Sequence, residues 1–474
     1  MISIYSNRYR RWRYWLCGVF CLVGGVALAQ TPIDGPGHGA HTIRATLSEA
    51  IRLALQNNAK VRAGDHTVAA AEAQLREAFA GGWPIFDYEY NTGPMPRDVS
   101  DAVQSFVQGH LSWHQRGKLA IGVPLYAFGK IKLAKALAGQ GIAAAGDQQG
   151  QESAAVVTKV RQIYYGIQLA GEIGRLLTDA IQKVTTKIAE GESDEVGAAE
   201  TAPEDAAARP SPIDRLRLRT FRAELQKRLA ETRMKQTLAR EGLRLQMGLP
   251  PGTMVALAQT RLAPVHERLP ALAVYQDAVL THRPEARLIE AGMEAKRLQV
   301  ALERRKPLPD VGLGGFFELG RTFPAVENVT TTDDFTNPFR FTRAGLGVQV
   351  KGRFDPHGQS ARVEKLEQEY LKANLERGIA REGLLLEVQE AYLKAKYGVE
   401  QLQRARETEK VVRQLVFLTR SNYELGIGEK QEYAESLQLL LLTRSQYYEA
   451  VFQYNVAVAE LEQKAGLVHA ASSD

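Results

Sequence analysis

Tyr423-Glu424-Leu425-Gly426-Ile427-Gly428 opens the stretch whose reading decides the fold. Beyond it lie Glu432 and Glu435, then a proline-free run to Gly466. From Tyr447 the apolar residues Val451, Tyr454, Val458, Leu461 and Ala465 recur every three or four positions. That is the spacing of a helix seam packed as in a coiled coil. Two glycines ahead of such a helix end the preceding one and turn the chain, which makes the stretch a helix–turn–helix tip. Glu432 and Glu435, three apart, share one face of the incoming helix.

Upstream, Phe354-Asp355-Pro356-His357-Gly358 opens more than sixty residues without proline, with Leu385, Val388, Tyr392, Ala395, Val399 and Leu402 as a seam. At ~1.5 Å per residue, a helix from Gly358 to Asn422 would span roughly 95 Å, far too long for a compact domain. Before that helix the period drops to two. Val311, Leu313, Gly315, Phe317 and Leu319 line one strand face, and Leu346, Val348 and Val350 the next, with a Thr-, Asn- and Asp-rich loop between. A helix over Leu272 to Arg305 precedes them.

The first half follows the same order. An amphipathic helix runs from Leu47 to about Ala80. Phe86, Tyr88 and Tyr90 then alternate with Asp87 and Glu89, and a polar loop is expected from Asn91 to about Arg116. Leu119, Ile121, Val123 and Leu125 form a second alternating run. Lys130 to Glu190 is helical in pattern, although seven glycines from Gly139 to Gly174 loosen it. Ile213 to Met247 is a further helix ended by Gly248. Subtraction fixes the register: Pro84 and Pro309 are 225 apart, Gly129 and Gly358 229, Tyr164 and Tyr392 228, but Gly248 and Gly466 only 218. The chain is an internal duplication whose first copy carries about ten extra residues near its tip. The excess falls in the acidic, Ala- and Pro-rich segment 190–212, which reads as a solvated loop.

The N-terminus is a different kind of sequence. Arg8, Arg10, Arg11 and Arg13 precede an apolar run from Trp15 to Leu28 that ends in small residues before Gln30, the layout of a secretory signal peptide. Its removal takes both cysteines, Cys17 and Cys21, so the mature chain has no disulfide or thiolate site. It also takes four arginines and no acid, which lowers the net charge from +6 to +2. With no basic stripe interleaved with aromatics, nucleic acid is not an expected partner. The expected divisions are a signal peptide over 1–29, a linker over 30–45, a first repeat over 46–250, a linker over 251–271, a second repeat over 272–467 and a tail over 468–474.

Four strands of about ten residues with one apolar face match what a transmembrane β-strand needs, and no mature segment offers about twenty consecutive apolar residues. A membrane sheet must close, because an open edge cannot be satisfied in lipid. Four strands are too few to close, so either they belong to a soluble sheet or several copies share one barrel. The long helices favour sharing.

These motifs have carriers that can be named: Leu47-Ser48-Glu49-Ala50-Ile51 with Asn57-Asn58, Pro124-Leu125-Tyr126 with Gly129, Val388-Gln389-Glu390-Ala391-Tyr392, and Tyr423, Gly426, Leu461 and Gly466. In that order, duplicated around two strand pairs, they resemble the TolC-like outer-membrane efflux proteins over nearly the whole mature chain. The resemblance implies a mainly α, internally duplicated fold with four strands per chain. It implies a homotrimer with a shared twelve-stranded β-barrel and a periplasmic α-barrel in the outer membrane of a Gram-negative bacterium. Its implied partners are a periplasmic adaptor, an inner-membrane transporter and outer-membrane lipid. The family rings its periplasmic aperture with two acids three apart, where Glu432 and Glu435 stand. Tyr423 matches a tyrosine that helps hold the aperture closed through polar links to an acid, and Asp214, 218 before Glu432, occupies that acid's place. The turn Leu425, Gly426 and Ile427 is where an adaptor would dock. The arginine expected just after the turn is missing, with Gly428 in its place and Lys430 near.

Catalytic patterns are incomplete. His110 and His114 have the spacing of a zinc pair, but Leu111 stands where a metalloprotease needs Glu. Gly345-x-Gly347 lacks a third glycine, and Gly358-Gln359-Ser360-Ala361-Arg362 is not a nucleophile elbow. No enzyme and no cofactor are expected. The competing class is a periplasmic adaptor or structural coiled-coil protein without a pore.

Overall fold

The computed structural model describes residues 42–197, 212–329, 333, 336–427 and 429–468. The expected signal peptide, 1–29, and residues 198–211 of the acidic segment lie outside the described residues. In chain order the elements are β1 (Thr42–Ala45), α1 (Leu47–Asn57), α2 (Ala59–Ala80), β2 (Ile85–Pro96), α3 (Ala102–Val107), β3 (Leu111–Tyr126), α4 (Lys130–Gly197), α5 (Pro212–Gln246), β4 (Met254–Leu257), α6 (Leu272–His282), α7 (Pro284–Arg305), β5 (Asp310–Phe323), β6 (Phe341–Lys351), α8 (Pro356–Glu424) and α9 (Lys430–Ala465). The duplication is now explicit. α1 and α6, α2 and α7, and β2 and β5 each begin 225 residues apart, whereas α5 and α9 begin 218 apart.

Both helices expected to be continuous in the first part of each repeat are broken. Thr46 caps α1 with a reciprocal bond to Glu49, and the helix then stops at Asn58, whose side chain accepts from the Lys60 N–H and caps α2. In the second copy the break falls at Arg283, which precedes Pro284 and is therefore driven to an extended conformation, φ −70° and ψ 125°. Each break seats the end of a later helix. Gly248, φ +64°, lies so close that a Cβ would sit 2.5 Å from the Asn57 carbonyl oxygen; at Gly466, φ +77°, it would sit 2.7 Å from the Arg283 nitrogen. Only glycine satisfies both the left-handed conformation and the approach.

Two further differences concern short pieces. The segments read as linkers each supply a strand, since β1 pairs in parallel with β4 from Thr42 opposite Met254 to Ala45 opposite Leu257. The polar loop expected over 91–116 is mostly structured. β2 runs on to Pro96 and β3 begins at Leu111, which leaves only 97–110, with α3, between them. Its prolines are tolerated because β2 is an edge strand.

The main sheet is antiparallel in the order β2-β3-β5-β6, and among the described residues neither β2 nor β6 has a partner on its outer side. Tyr88, Leu119, Phe317 and Ala344 are in register across one face, and Glu89, Lys118, Glu318 and Arg343 across the other. The first face leaves Phe86, Tyr88, Leu119, Phe317, Leu346 and Val348 exposed. The second is polar, with the Arg116 guanidinium bridging to the buried Glu318. Among the described residues no helix is long and apolar enough to cross a membrane.

The core follows the helices. α4 pairs with α5 and α8 with α9, and α9 also packs against α4, joining the halves. The expected seam on α9 is buried throughout: Val451, Tyr454, Leu461 and Ala465 are fully enclosed and Val458 nearly so. On α8 the buried line is Leu384, Val388, Ala391, Ala395 and Gly398, one step round from part of the line read in the sequence. Arg161 on α4 pairs with Glu462 on α9, both little exposed, fastening one half to the other. Gly466→Ala should lower stability by roughly 1–2 kcal/mol from the left-handed conformation alone. Gly378→Ala, where a Cβ meets nothing within 4 Å, should be neutral or stabilising. Thermal melting of the two variants in detergent checks this, and equal midpoints would contradict the seating of α9 on Arg283.

Candidate functional site

The tip between α8 and α9 is built by hydrogen bonds to a helix end. The Gly426 N–H donates to the Tyr423 carbonyl at 3.1 Å and the Ile427 N–H to the Asn422 carbonyl at 3.0 Å, which satisfies carbonyls that the ending helix leaves free. This turn projects Leu425 and Ile427, each about three-quarters exposed. Glu429 precedes α9 without a side-chain cap. Glu432 lies in the first turn, where a negative charge is favoured by the helix dipole.

Tyr423, Glu432 and Glu435 are brought to one tip, where neighbours not named in the sequence reading join them. Tyr423 stacks on Tyr433, with ring centroids 6.0 Å apart and planes within 16°. One turn further from the tip, the Thr419 and Ser436 hydroxyls meet at 2.8 Å, tying α8 to α9, and Ser436 is buried. Arg420 pairs with Glu424 at 2.7 Å along the outer face of α8. Glu435 accepts from Gln431 at 2.9 Å, and both Glu432 and Glu435 are exposed. The backbone of Asp214 lies in the first turn of α5; its side chain, like Gly428 and the side chain of Lys430, lies outside the described residues.

Tyr433, Thr419 and Ser436 escaped the sequence reading. Their signal was the turn itself: once the chain reverses about position 427–428, residues about equally far on either side of it become neighbours across the hairpin. The remaining candidates do not assemble into chemistry. His114 is a strand residue whose Nδ1 meets the Thr322 hydroxyl at 2.8 Å, part of the sheet's polar face. Among the described residues no group of three or more His, Cys, Asp or Glu side chains could hold a metal ion.

Residues 275–467 match the family model described as outer membrane efflux protein. No curated protein matches. Among solved structures the fold is similar to that of CusC, with a TM-score of 0.70 at 16% identity over 90% of this chain and 92% of that one. It is similar also to the Campylobacter jejuni CmeC outer membrane channel, with a TM-score of 0.68 at 15% identity over 89% and 85% of the two chains. The open state of the Neisseria gonorrhoeae MtrE outer membrane channel gives 0.67 at 16% identity over 89% of each. The chain therefore shares the fold of these outer membrane channels, a four-stranded sheet joined to a larger helical part.

The stack should matter to the tip and not to the fold. Tyr433→Ala removes an aromatic pair worth about 1 kcal/mol. Amide exchange over 419–436 should accelerate about fivefold, while the seam around Leu461 stays unchanged. Uniform exchange along α9 in the variant would assign the stack no local role.

Proposed function

We propose that this chain is the export duct of a tripartite efflux or secretion system, acting as a homotrimer in the outer membrane. The observation that carries the proposal is the open sheet. Four antiparallel strands present an apolar outer face and two unpaired edges, a combination that lipid does not tolerate unless other copies complete the barrel. Three copies give twelve strands. α4 and α8, of 68 and 69 residues, leave the base of that sheet and would continue it as a helical tunnel through the periplasm. Cargo would pass down this tube passively, driven by an inner-membrane transporter, with a periplasmic adaptor at the tip, where Leu425, Gly426 and Ile427 offer an apolar knob.

The aperture would lie at the opposite end from the barrel. Three copies place six glutamates, Glu432 and Glu435 from each, around its mouth, a ring that favours cations and repels anions. Asp214 and Tyr423 would hold it closed, with the Tyr423–Tyr433 stack setting how far Tyr423 can reach.

Reconstitution of the purified protein in planar bilayers tests the duct directly. Discrete ion conductance is expected, and its absence under every condition would leave a periplasmic protein without a pore. In the same assay, replacing Asp214 and Tyr423 together by Ala should raise the conductance of the closed state severalfold; an unchanged value would remove them from the closing role.

A further inference from the structure

α4, α8 and α9, with the segment 259–265 strapped across α4 and α9, enclose a cleft of about 460 Å³. The strap is held by backbone groups: Gln168 and Arg175 on α4 donate to the carbonyls of Gln259 and Thr260, and Asn455 on α9 donates to that of Ala263. Two carboxylates form the cleft floor. Glu172 is 3% exposed and takes Arg175 at 2.6 Å and Arg261 at 3.7 Å. Glu409 takes Arg413 at 2.5 Å and Arg444 at 3.0 Å. Burial pulls the Glu409 carboxyl upward, but the bonds from Arg413 and Arg444 outweigh it and hold its pKa below the ordinary glutamate value, so it stays charged.

The ion pairing leaves positive charge over. Asp179, the remaining acid in the lining, is bridged to Lys183 at 2.8 Å. Arg406 stands exposed in the lining with no ion pair among the described residues. Five guanidinium groups thus face three carboxylates, one of them already bridged to Lys183, in a concave, partly desolvated site where walls of low dielectric concentrate the field. A guanidinium matches planar or tetrahedral oxyanions through paired N–H donors. The cleft is also turned toward its own chain. On α8 the exposed apolar residues Val411, Leu415 and Leu418 lie about 160° round from Glu409 and Arg413 at ~100° per residue. A neighbouring copy packed on that apolar line would leave the cleft open.

We propose that this cleft is a binding site for a multiply charged organic oxyanion, held chiefly by Arg261 and Arg406 at its rim. A bare halide is too small and too weakly directional for the volume and the donor geometry. The charged groups of the ligand can be phosphates or carboxylates, which share this chemistry.

Calorimetry on the detergent-solubilised full-length protein at low ionic strength tests the site with two probes, pyrophosphate and citrate, against chloride at matched ionic strength. Saturable binding with a Kd below about 1 mM is expected for at least one probe and not for chloride. Binding of pyrophosphate alone identifies a phosphate ligand, and binding of citrate alone a carboxylate ligand. Arg261 and Arg406 are both exposed, and Arg175 still pairs with Glu172 without Arg261, so Arg261→Gln/Arg406→Gln should keep its melting temperature. The double variant should weaken binding at least tenfold. No saturable heat with either probe, or equal affinity in the double variant, overturns the proposal.

Discussion

Gly466 ends α9 with its backbone pressed against Arg283, and Gly248 ends α5 in the same way against Asn57. The rest of the architecture hangs from these two contacts. Each joins the last helix of a repeat to the break between its first two helices, so each repeat becomes a closed unit about 200 residues long. α4 and α8, of nearly seventy residues each, are held besides by the helices packed along them. A left-handed residue at a helix end lets the backbone approach to contact distance and excludes every side chain from the contact. Arg283 is buried beneath this joint and bridges to Glu387 at 2.6 Å, while Lys464 reaches the same carboxylate at 2.9 Å. The second joint therefore adds a charge cluster that ties α8 to α9.

Closure of the repeats has a consequence for the sheet. Because both strand pairs emerge from units built alike, their strands alternate in the same way, with β2 and β5 beginning 225 residues apart. The result is a sheet with one largely apolar face and one largely polar face, open at both edges. A soluble protein would blunt such edges with charge or cover them. Here the edges are long, and β6 carries Leu346, Val348 and Val350 exposed along its apolar side. The duplication makes a sheet that is complete in pattern and incomplete in number.

What the sequence disclosed, and what it concealed, follows from how local each signal is. The seam on α9 was legible because a three–four repeat runs through a single helix and survives packing. The duplication was legible because glycine and proline mark backbone requirements that both copies share. The break at Asn58 was hidden, since Asn57-Asn58 sits inside a helical pattern and takes its capping role only when Gln246 arrives to accept its amide at 2.9 Å. Pro284 was visible but sits in a strong helical pattern that masked the residue before it. β1 and β4 are four residues each and pair over two hundred positions apart, so neither carries a period long enough to detect. At the tip, Tyr423 and the two glutamates were found, but Tyr433 was read past. Its partner is set by hairpin geometry, which composition does not encode.

The two halves of the proposed aperture differ in more than their turns. α9 carries three basic and five acidic residues from Lys430 to Ala465, whereas α5 carries ten basic and four acidic from Pro212 to Gln246. A ring of glutamates on α9 would thus stand beside a strongly basic helix from the other repeat. Charges more than about 8 Å apart are largely screened at physiological salt. Any cation preference at the proposed mouth would therefore depend on which α5 residues come within that distance of Glu432 and Glu435. Asp214 is the sole acid in the first ten positions of α5, amid Arg215, Arg217 and Arg219. On the proposed reading the two repeats bring opposite charge to the mouth, the acidic excess of α9 and the basic excess of α5 each reducing the field of the other.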